Sequence, residues 1–310
     1  MRVAVIDCGT NTIRLLIAEP GPAESGLRTL RRDLAYVRLG QGVDAARRFH
    51  PDALARTFAA LDGYAAQIAA AKVAKVRFLA TSAARDVSNR EDFSAGVQSR
   101  LGLEPEVISG AEEARLSFLG ALAGGPAGPG RILVSDIGGG STELVTGDRS
   151  GAVEQACSLD IGSVRLRERF LAGDPPTAAE TKAAQAYAAS LIDASGIFAA
   201  GPIDHCIGVG GTATSVAAMA AGLTVYDPAV VHRSTVALAD LAALSERLLE
   251  MSTAETMRLY PILQPLRAEV IGAGALIALE ITRRAGRPLE ACETDILDGA
   301  ALGLLQDASP

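Results

Sequence analysis

Apolar and polar positions along the chain predict two β-hairpins with polar turns. The first covers residues 2–18, where two short apolar runs flank the turn Cys8-Gly9-Thr10-Asn11-Thr12. The second covers residues 131–146, where two similar runs flank the turn Asp136-Ile137-Gly138-Gly139-Gly140-Ser141-Thr142. Short β-branched runs bounded by glycine-rich turns are typical of strands. Each hairpin is therefore predicted to open a sheet.

The two hairpins align with each other, which indicates an internal repeat. Asp7 aligns with Asp136, Gly9 with Gly138, Thr12 with Ser141 and Arg14 with Glu143. Two halves that begin in the same way suggest a duplicated domain. We expect the two turns to face each other across a cleft, with phosphates between them.

The rest of the pattern predicts an α/β fold in two domains. Further strands are expected at 27–39, 75–80, 106–108, 151–161, 205–209 and 289–293, and long helices at 51–71, 177–199, 270–281 and 295–305. Residues 124–130 form a glycine- and proline-rich linker. The predicted domains are residues 1–124, joined by the C-terminal helix at about 296–307, and residues 125–295.

Composition narrows the class of protein. With 310 residues, 49% of them hydrophobic, the chain can fill two cores. Its net charge of -7 argues against an extended nucleic-acid surface. The cysteines lie far apart without a CxxC pair, which favours a reducing cytoplasm. No signal peptide and no membrane span is predicted.

The turns themselves predict a phosphate and metal site. Glycines at 138–140 allow backbone N–H groups to converge on one point, and Ser141 and Thr142 add hydroxyls. Asp136 and Glu143 are expected to hold a magnesium or manganese ion, directly or through water, because carboxylates suit such ions. The alternative is an ordinary glycine-rich hairpin, and the second copy at residues 9–12 favours the phosphate site.

Other candidate residues lie at the ends of predicted strands or at the starts of helices. Arg85 follows the strand at 75–80, at the sheet edge where α/β proteins bind ligands; the alternative is a solvated arginine. Gly210-Gly211-Thr212 and Gly162-Ser163 begin helices, where an anion can dock. The histidines have no metal-ligand spacing and are treated as structural.

Two adjacent acids, Glu112 and Glu113, are predicted in the first turn of a helix. Acids there favour the helix dipole without any catalytic duty. One of them could instead act as general base on a water molecule. Because neighbouring residues point about 100° apart on a helix, only one can face the cleft.

These segments together resemble the exopolyphosphatase and guanosine pentaphosphate phosphohydrolase family. The matching segments are VIDCGTNTIRLLIAE, ATSAARDVSN, VISGAEEARLSFLGA, VSDIGGGSTELVTG, IGSVRLRERF, GVGGTATSVAAM and DILDGAALGLL. The resemblance implies two ribonuclease-H-like domains of the actin and sugar-kinase superfamily, with an active cleft between them. It implies Glu113 as catalytic base, phosphate and metal contacts at Asp136, Gly138 and Glu143, and a homodimer. One departure is Cys8-Gly9-Thr10-Asn11-Thr12, where many relatives have Ile-Gly-Ser-Asn-Ser.

The expected function is hydrolysis of the terminal phosphoanhydride of inorganic polyphosphate. Phosphate ligands are expected at Gly9, Thr10, Asn11, Thr12, Arg14, Arg85, Gly138, Gly139, Gly140, Ser141, Thr142, Gly210, Gly211 and Thr212. Arg14 and Arg85 would offset charge on the transferred and leaving groups. The alternatives are a guanosine pentaphosphate phosphohydrolase, a phosphotransferase, and a noncatalytic sensor of polyphosphate or a phosphorylated guanosine nucleotide.

Overall fold

The computed structural model describes residues 1–21, 26–85, 87–125 and 128–307. It divides into two compact units, one formed by Met1–Gly125 with Ile296–Pro310 and the other by Pro126–Asp295. The sequence predicts a boundary after residue 124 and places 296–307 in the first domain. Pro126 and Ala127 of the predicted linker lie outside the described residues.

The first unit is built on one mixed sheet. Its elements up to residue 125 are β1 (Val3–Cys8), β2 (Thr12–Pro20), β3 (Leu27–Tyr36), α1 (Val43–Ala46), α2 (Pro51–Ala70), β4 (Lys75–Ala80), α3 (Ser82–Arg85), α4 (Arg90–Leu101), β5 (Glu106–Val107) and α5 (Gly110–Ala123). The strand order is β3-β2-β1-β4-β5. The first three strands form an antiparallel meander, and β4 and β5 continue the sheet in parallel.

The second unit repeats this arrangement. Its elements are β6 (Ile132–Ile137), β7 (Thr142–Gly147), β8 (Val153–Leu159), α6 (Ser163–Phe170), α7 (Ala178–Ala194), β9 (His205–Val209), α8 (Gly210–Ala220), α9 (Pro228–Val231), β10 (Thr235–Val236), α10 (Leu238–Glu250), α11 (Thr253–Leu259), α12 (Pro265–Ala285) and β11 (Leu289–Cys292). The sheet order is β10-β11-β9-β6-β7-β8. Without the short antiparallel strand β10, the order and directions match those of the first sheet. The predicted duplication of a ribonuclease-H-like domain is confirmed.

The C-terminal helix α13 (Ile296–Gln306) belongs to the first unit. Strand β1 is buried on both faces, because successive side chains of a strand point to opposite sides. Val3 and Val5 pack in one apolar cluster with Leu297 of α13. Ala4 and Ile6 belong to a second cluster on the opposite face. The sheet of the first unit is therefore covered on both sides.

Helix α12 approaches its neighbours closely at Gly274, within its run of small residues at 272–275. A Cβ atom built on Gly274 would lie 2.7 Å from Cγ2 of Thr212 and 3.5 Å from Cβ of Ser163. Both neighbours stand in the first turns of helices that follow strands of the second sheet. Gly274 therefore lets α12 brace the starts of α6 and α8.

One predicted helix ends earlier than its sequence pattern indicates. The apolar pattern extends to Ala199, but α7 ends at Ala194. Gly196 has a φ of 67°, in the left-handed region that commonly follows a helix end. Every helix among the described residues is too short or too polar to cross a membrane.

Alanine substitutions at two helical glycines should change stability in opposite directions. Gly274→Ala should lower the free energy of unfolding by about 1–3 kcal/mol, because the added methyl group overpacks α12 against Thr212. Gly63→Ala, in an exposed part of α2 with no atom within 4 Å of the new Cβ, should raise it by about 0.5–1 kcal/mol. Urea unfolding of both variants measures this, and equal effects would contradict the packing of α12.

Candidate functional site

The strands that flank the first turn carry an acidic and a basic residue on one face. Asp7 of β1 lies directly opposite Arg14 of β2. Arg14 donates to Oδ2 of Asp7 from Nη2 at 2.6 Å and from Nε at 3.0 Å. The Gly9 N–H donates to the carbonyl of Thr12 at 2.9 Å and closes the turn. This ion pair fixes the orientation of both side chains at the mouth of the turn.

The second hairpin has the same backbone geometry as the first, but its two opposed residues carry different charges. The Gly138 N–H donates to the carbonyl of Ser141 at 3.0 Å, as Gly9 does to Thr12. Asp136 of β6 lies directly opposite Glu143 of β7. Residues opposed in an antiparallel pair project to the same face, where two like charges destabilise the sheet. Two acids therefore meet where the first hairpin has an ion pair.

This acid pair fits a divalent metal such as magnesium. Glu143 is only 1% exposed, and its Oε1 accepts a hydrogen bond from the Ser158 hydroxyl at 2.7 Å. Within the described ranges, no group of three or more His, Cys, Asp or Glu side chains could hold a metal by itself. Magnesium needs no such cage, because it commonly binds one or two carboxylates and keeps water and phosphate oxygens as its other ligands.

Asn11 is held in a buried position with its side-chain amide unsatisfied. Its carbonyl accepts hydrogen bonds from the N–H groups of Val37 and Arg38, at 3.0 and 2.9 Å. The residue is 4% exposed, and neither its Oδ1 nor its Nδ2 has a hydrogen-bond partner among the described residues. Buried amides normally have partners. The amide of Asn11 is therefore suited to a ligand that enters the turn.

The structure distinguishes Glu112 from Glu113. Ser109 caps helix α5 by accepting a hydrogen bond from the N–H of Glu112 at 3.2 Å. Glu112 pairs with Arg115, and their hydrogen bond lowers the pKa of the Glu112 carboxyl. Glu113 is 8% exposed, and its Oε2 accepts from Nη1 of Arg85 at 2.7 Å. Glu113 is thus the buried acid.

Arg85 holds Glu113 from a different element of the first unit. It ends α3, and its Nη1 also donates to the carbonyl of Ile108 at 3.1 Å. The sequence predicts Arg85 as a phosphate ligand and does not reveal this pairing, because the two residues lie 28 positions apart. The pair fixes the Glu113 carboxylate next to the start of α5.

The glycine turn at 138–140 is held by the start of α6. The N–H groups of Ser163 and Val164 donate to the carbonyls of Gly138 and Gly139, both at 2.9 Å. A Cβ on Gly162 would lie 2.5 Å from the carbonyl carbon and oxygen of Gly139. The N–H and the hydroxyl of Ser163 both donate to the carbonyl of Gly138 and are therefore used within the protein, while a phosphate contact at Gly162 stays a prediction.

The third glycine turn lies beside Asp136. Strand β9 pairs in parallel with β6, with Val209 next to Asp136. Gly210 follows with a φ of 75°, and a Cβ there would lie 2.7 Å from Oδ1 of Asp136. The second unit therefore brings together Asp136, Glu143 and the Gly210 backbone.

Two of the predicted phosphate-binding hydroxyls are used within the protein. Thr212 donates to the carbonyl of Ile137 at 2.9 Å, and Thr142 donates to the carbonyl of Ile161 at 2.7 Å. Both threonines are 0% exposed. These hydroxyls tie the turns to the sheet, so a phosphate contact at either position would have to come from the backbone.

Arg267 is a candidate that sequence reasoning misses. It stands in the first turn of α12, is 7% exposed, and its guanidinium occupies the space next to the Cα of Gly211. Only the fold brings residue 267 to the glycine turn at 210. The available sequence signal is one arginine near the start of a helix that also carries other charged residues, and this pattern describes many surface arginines as well.

Comparison with known proteins identifies the family of the chain. The pattern of the Ppx/GppA phosphatase family matches residues 17–293. The chain belongs to the Ppx/GppA phosphatase family. It is 44% identical to Exopolyphosphatase 2 of Mycobacterium tuberculosis over 98% of both chains.

Two solved structures are similar over their whole length. An exopolyphosphatase-like protein has a TM-score of 0.92 and 38% identity, with 100% of both chains covered. The Aquifex aeolicus Ppx/GppA family member has a TM-score of 0.83 and 30% identity, covering 100% of this chain and 99% of that one.

Cys8 stands where many relatives have isoleucine, and its thiol is expected to be unreactive. Burial raises the pKa of its thiol well above the ordinary value, and the charge of Asp7 raises it further. A protonated, buried thiol is a poor nucleophile.

The expectation that the two hairpins face each other across a cleft stays a prediction.

Gly162→Ala should disrupt the glycine turn at 138–140. The new Cβ would overlap the Gly139 backbone, which cannot rotate away, so we expect a loss of about 1–3 kcal/mol in the free energy of unfolding. Binding of magnesium tripolyphosphate should weaken in parallel. Urea unfolding and calorimetric titration measure the two effects, with Gly63→Ala as the control. Unchanged binding by the folded variant would contradict a phosphate role for this turn.

Proposed function

We propose that this chain is a metal-dependent exopolyphosphatase, which releases orthophosphate from the end of inorganic polyphosphate. Its relative in Mycobacterium tuberculosis, which it matches over 98% of both chains, is named Exopolyphosphatase 2. The structural observation that carries the proposal is the acid pair of Asp136 and Glu143, directly opposed at a glycine turn. Such a pair can hold a divalent ion against a polyanion.

The second unit contributes the metal site and part of the phosphate cradle. A magnesium or manganese ion held by Asp136 and Glu143 would neutralise charge on the phosphoryl oxygens. The backbone of Gly138, Gly139 and Gly140, with Ser141, would donate hydrogen bonds to those oxygens. The backbone at Gly210 and Gly211 and the buried guanidinium of Arg267 support a further phosphate contact.

The first unit contributes the second cradle. The buried amide of Asn11, which has no partner in the described part of the chain, would bind a phosphoryl oxygen through Nδ2. Gly9, Thr10 and Thr12 complete the turn around it. Arg14 is held by Asp7 at the mouth of the turn, where its charge would offset that of a phosphate.

Glu113 is the proposed general base. It accepts a proton from a water molecule as the water oxygen attacks the terminal phosphorus. The bond from that phosphorus to the bridging oxygen breaks, and the shortened polyphosphate leaves with the electron pair. Arg85 keeps the Glu113 carboxylate in one orientation, which general-base catalysis requires.

Location and assembly are further proposals. We propose a cytoplasmic enzyme, supported by the cysteines, which form no disulfide. The homodimer rests on the family resemblance alone and stays a prediction.

Phosphate release from a defined polyphosphate ladder should depend on magnesium. We expect the ladder to shorten from its ends with orthophosphate as product, and to stop when the metal is chelated. Glu143→Gln should raise the magnesium concentration required. Electrophoresis and a phosphate assay measure this. Preferential hydrolysis of guanosine pentaphosphate would indicate a guanosine pentaphosphate phosphohydrolase. Transfer of phosphate only to an added acceptor would indicate a phosphotransferase. Binding without turnover would indicate a sensor.

Glu113→Gln should reduce turnover by roughly 100-fold to 10,000-fold, because a positioned base contributes on that scale. The glutamine keeps the size of the side chain, so folding and polyphosphate binding should stay near wild type. Glu112→Gln is the matched control, since Glu112 bonds to Arg115 instead of Arg85. Steady-state rates on polyphosphate measure both variants. More than a tenth of wild-type turnover in Glu113→Gln would reject the assignment.

A further inference from the structure

Helix α13 meets α5 at a residue without a side chain. A Cβ built on Gly299 would overlap the carbonyl oxygen of Leu116 and lie 3.0 Å from its carbonyl carbon. It would also lie 3.1 Å from the backbone nitrogen of Gly120. These are backbone atoms of α5, so no change of rotamer can relieve the overlap. The distance between the two helices therefore depends on glycine at 299.

Helix α13 is itself pinned to the sheet of the first unit. Leu297, Ala300 and Ala301 are buried in the cluster that contains Val3 and Leu16 of the sheet. Asp298, 2% exposed, forms an ion pair with Arg32 of β3. Because the Asp298 carboxylate is buried, displacement of α13 would cost it this ion pair with the exposed Arg32. Leu116 of α5 lies in the same cluster, so added bulk at 299 would separate two helices that both pack on this sheet.

A shift of α5 would move Glu113. Leu116 lies three residues after Glu113, so the two share the first turns of one helix. Arg85, which holds the Glu113 carboxylate at 2.7 Å, stands on α3 after strand β4 and would not move with α5.

We propose that Gly299 is a positioning residue, which sets the place of α5 on the sheet and so the place of the Glu113 carboxylate relative to Arg85. The proposal rests on the proposed function of Glu113 as general base. A misplacement of about 1 Å can cost roughly 100-fold in rate. Gly299 would then act on the reaction without touching substrate.

Gly299→Ala and Gly303→Ala form a matched pair on the same helix. Gly299→Ala should lower kcat on polyphosphate by about 10-fold to 100-fold, with KM within about threefold of wild type. Gly303→Ala adds the same methyl group where no atom lies within 4 Å, so its kcat should equal that of wild type. A folded Gly299→Ala enzyme with wild-type kcat, or an equal loss in both variants, would overturn the proposal.

A double-mutant cycle separates positioning from a general structural effect. If Gly299 acts through Glu113, adding Gly299→Ala to Glu113→Gln should change the residual turnover by less than about threefold. Full multiplication of the two losses would overturn the proposal. Wild-type turnover in Glu113→Gln alone would instead reject the proposed base, which distinguishes the two failures.

A second variant covers the case in which Gly299→Ala does not fold, judged by circular dichroism and gel filtration. Leu297→Val removes one methylene on the sheet side of α13 and creates no clash with α5. It should loosen the same support and lower kcat about 3-fold to 10-fold at unchanged KM. Its effect should also vanish in the Glu113→Gln background. Wild-type kcat for folded Leu297→Val would overturn the proposal in that case.

Discussion

Residues that lie directly opposite each other in an antiparallel pair project to the same face, and this constraint organises both units. The register of each hairpin places an acid near the end of one strand directly opposite a residue near the start of the return strand. In the first unit that residue is Arg14, and the pair neutralises itself. In the second it is Glu143, so that two acids are opposed. One backbone geometry therefore supplies an ion pair in one unit and, in the other, the acid pair that is the proposed metal site.

The polar turns depend on contacts made far away in the chain. The first turn is held by backbone bonds from residues 37–40, which leave the amide of Asn11 buried and unsatisfied. The second is held by the start of α6 and by two buried threonines. Burial of these supports excludes water from the base of each turn. In the proposed function, backbone N–H groups of the turns and the Asn11 amide contact the phosphate.

Glycine recurs wherever two backbones must approach closely. Gly162 admits α6 against the glycine turn, Gly274 admits α12 against α8, and Gly299 admits α13 against α5. A side chain at any of these positions would separate elements that carry candidate site residues. The high glycine content of the chain therefore supports the site through packing as well as through the turns themselves.

The hairpins, their repeat and the family can be predicted from the order of residues alone, because these features are local and periodic. The same reading indicates Glu112 or Glu113 as an acid of interest, while the choice of Glu113 comes from resemblance. The fold was needed to show that Glu113 is the buried acid paired with Arg85, that the hydroxyls of Thr142 and Thr212 bond within the protein, and that Arg267 lies beside Gly211. These contacts join residues distant in the chain, and their existence depends on how helices pack on a sheet, which no local pattern encodes.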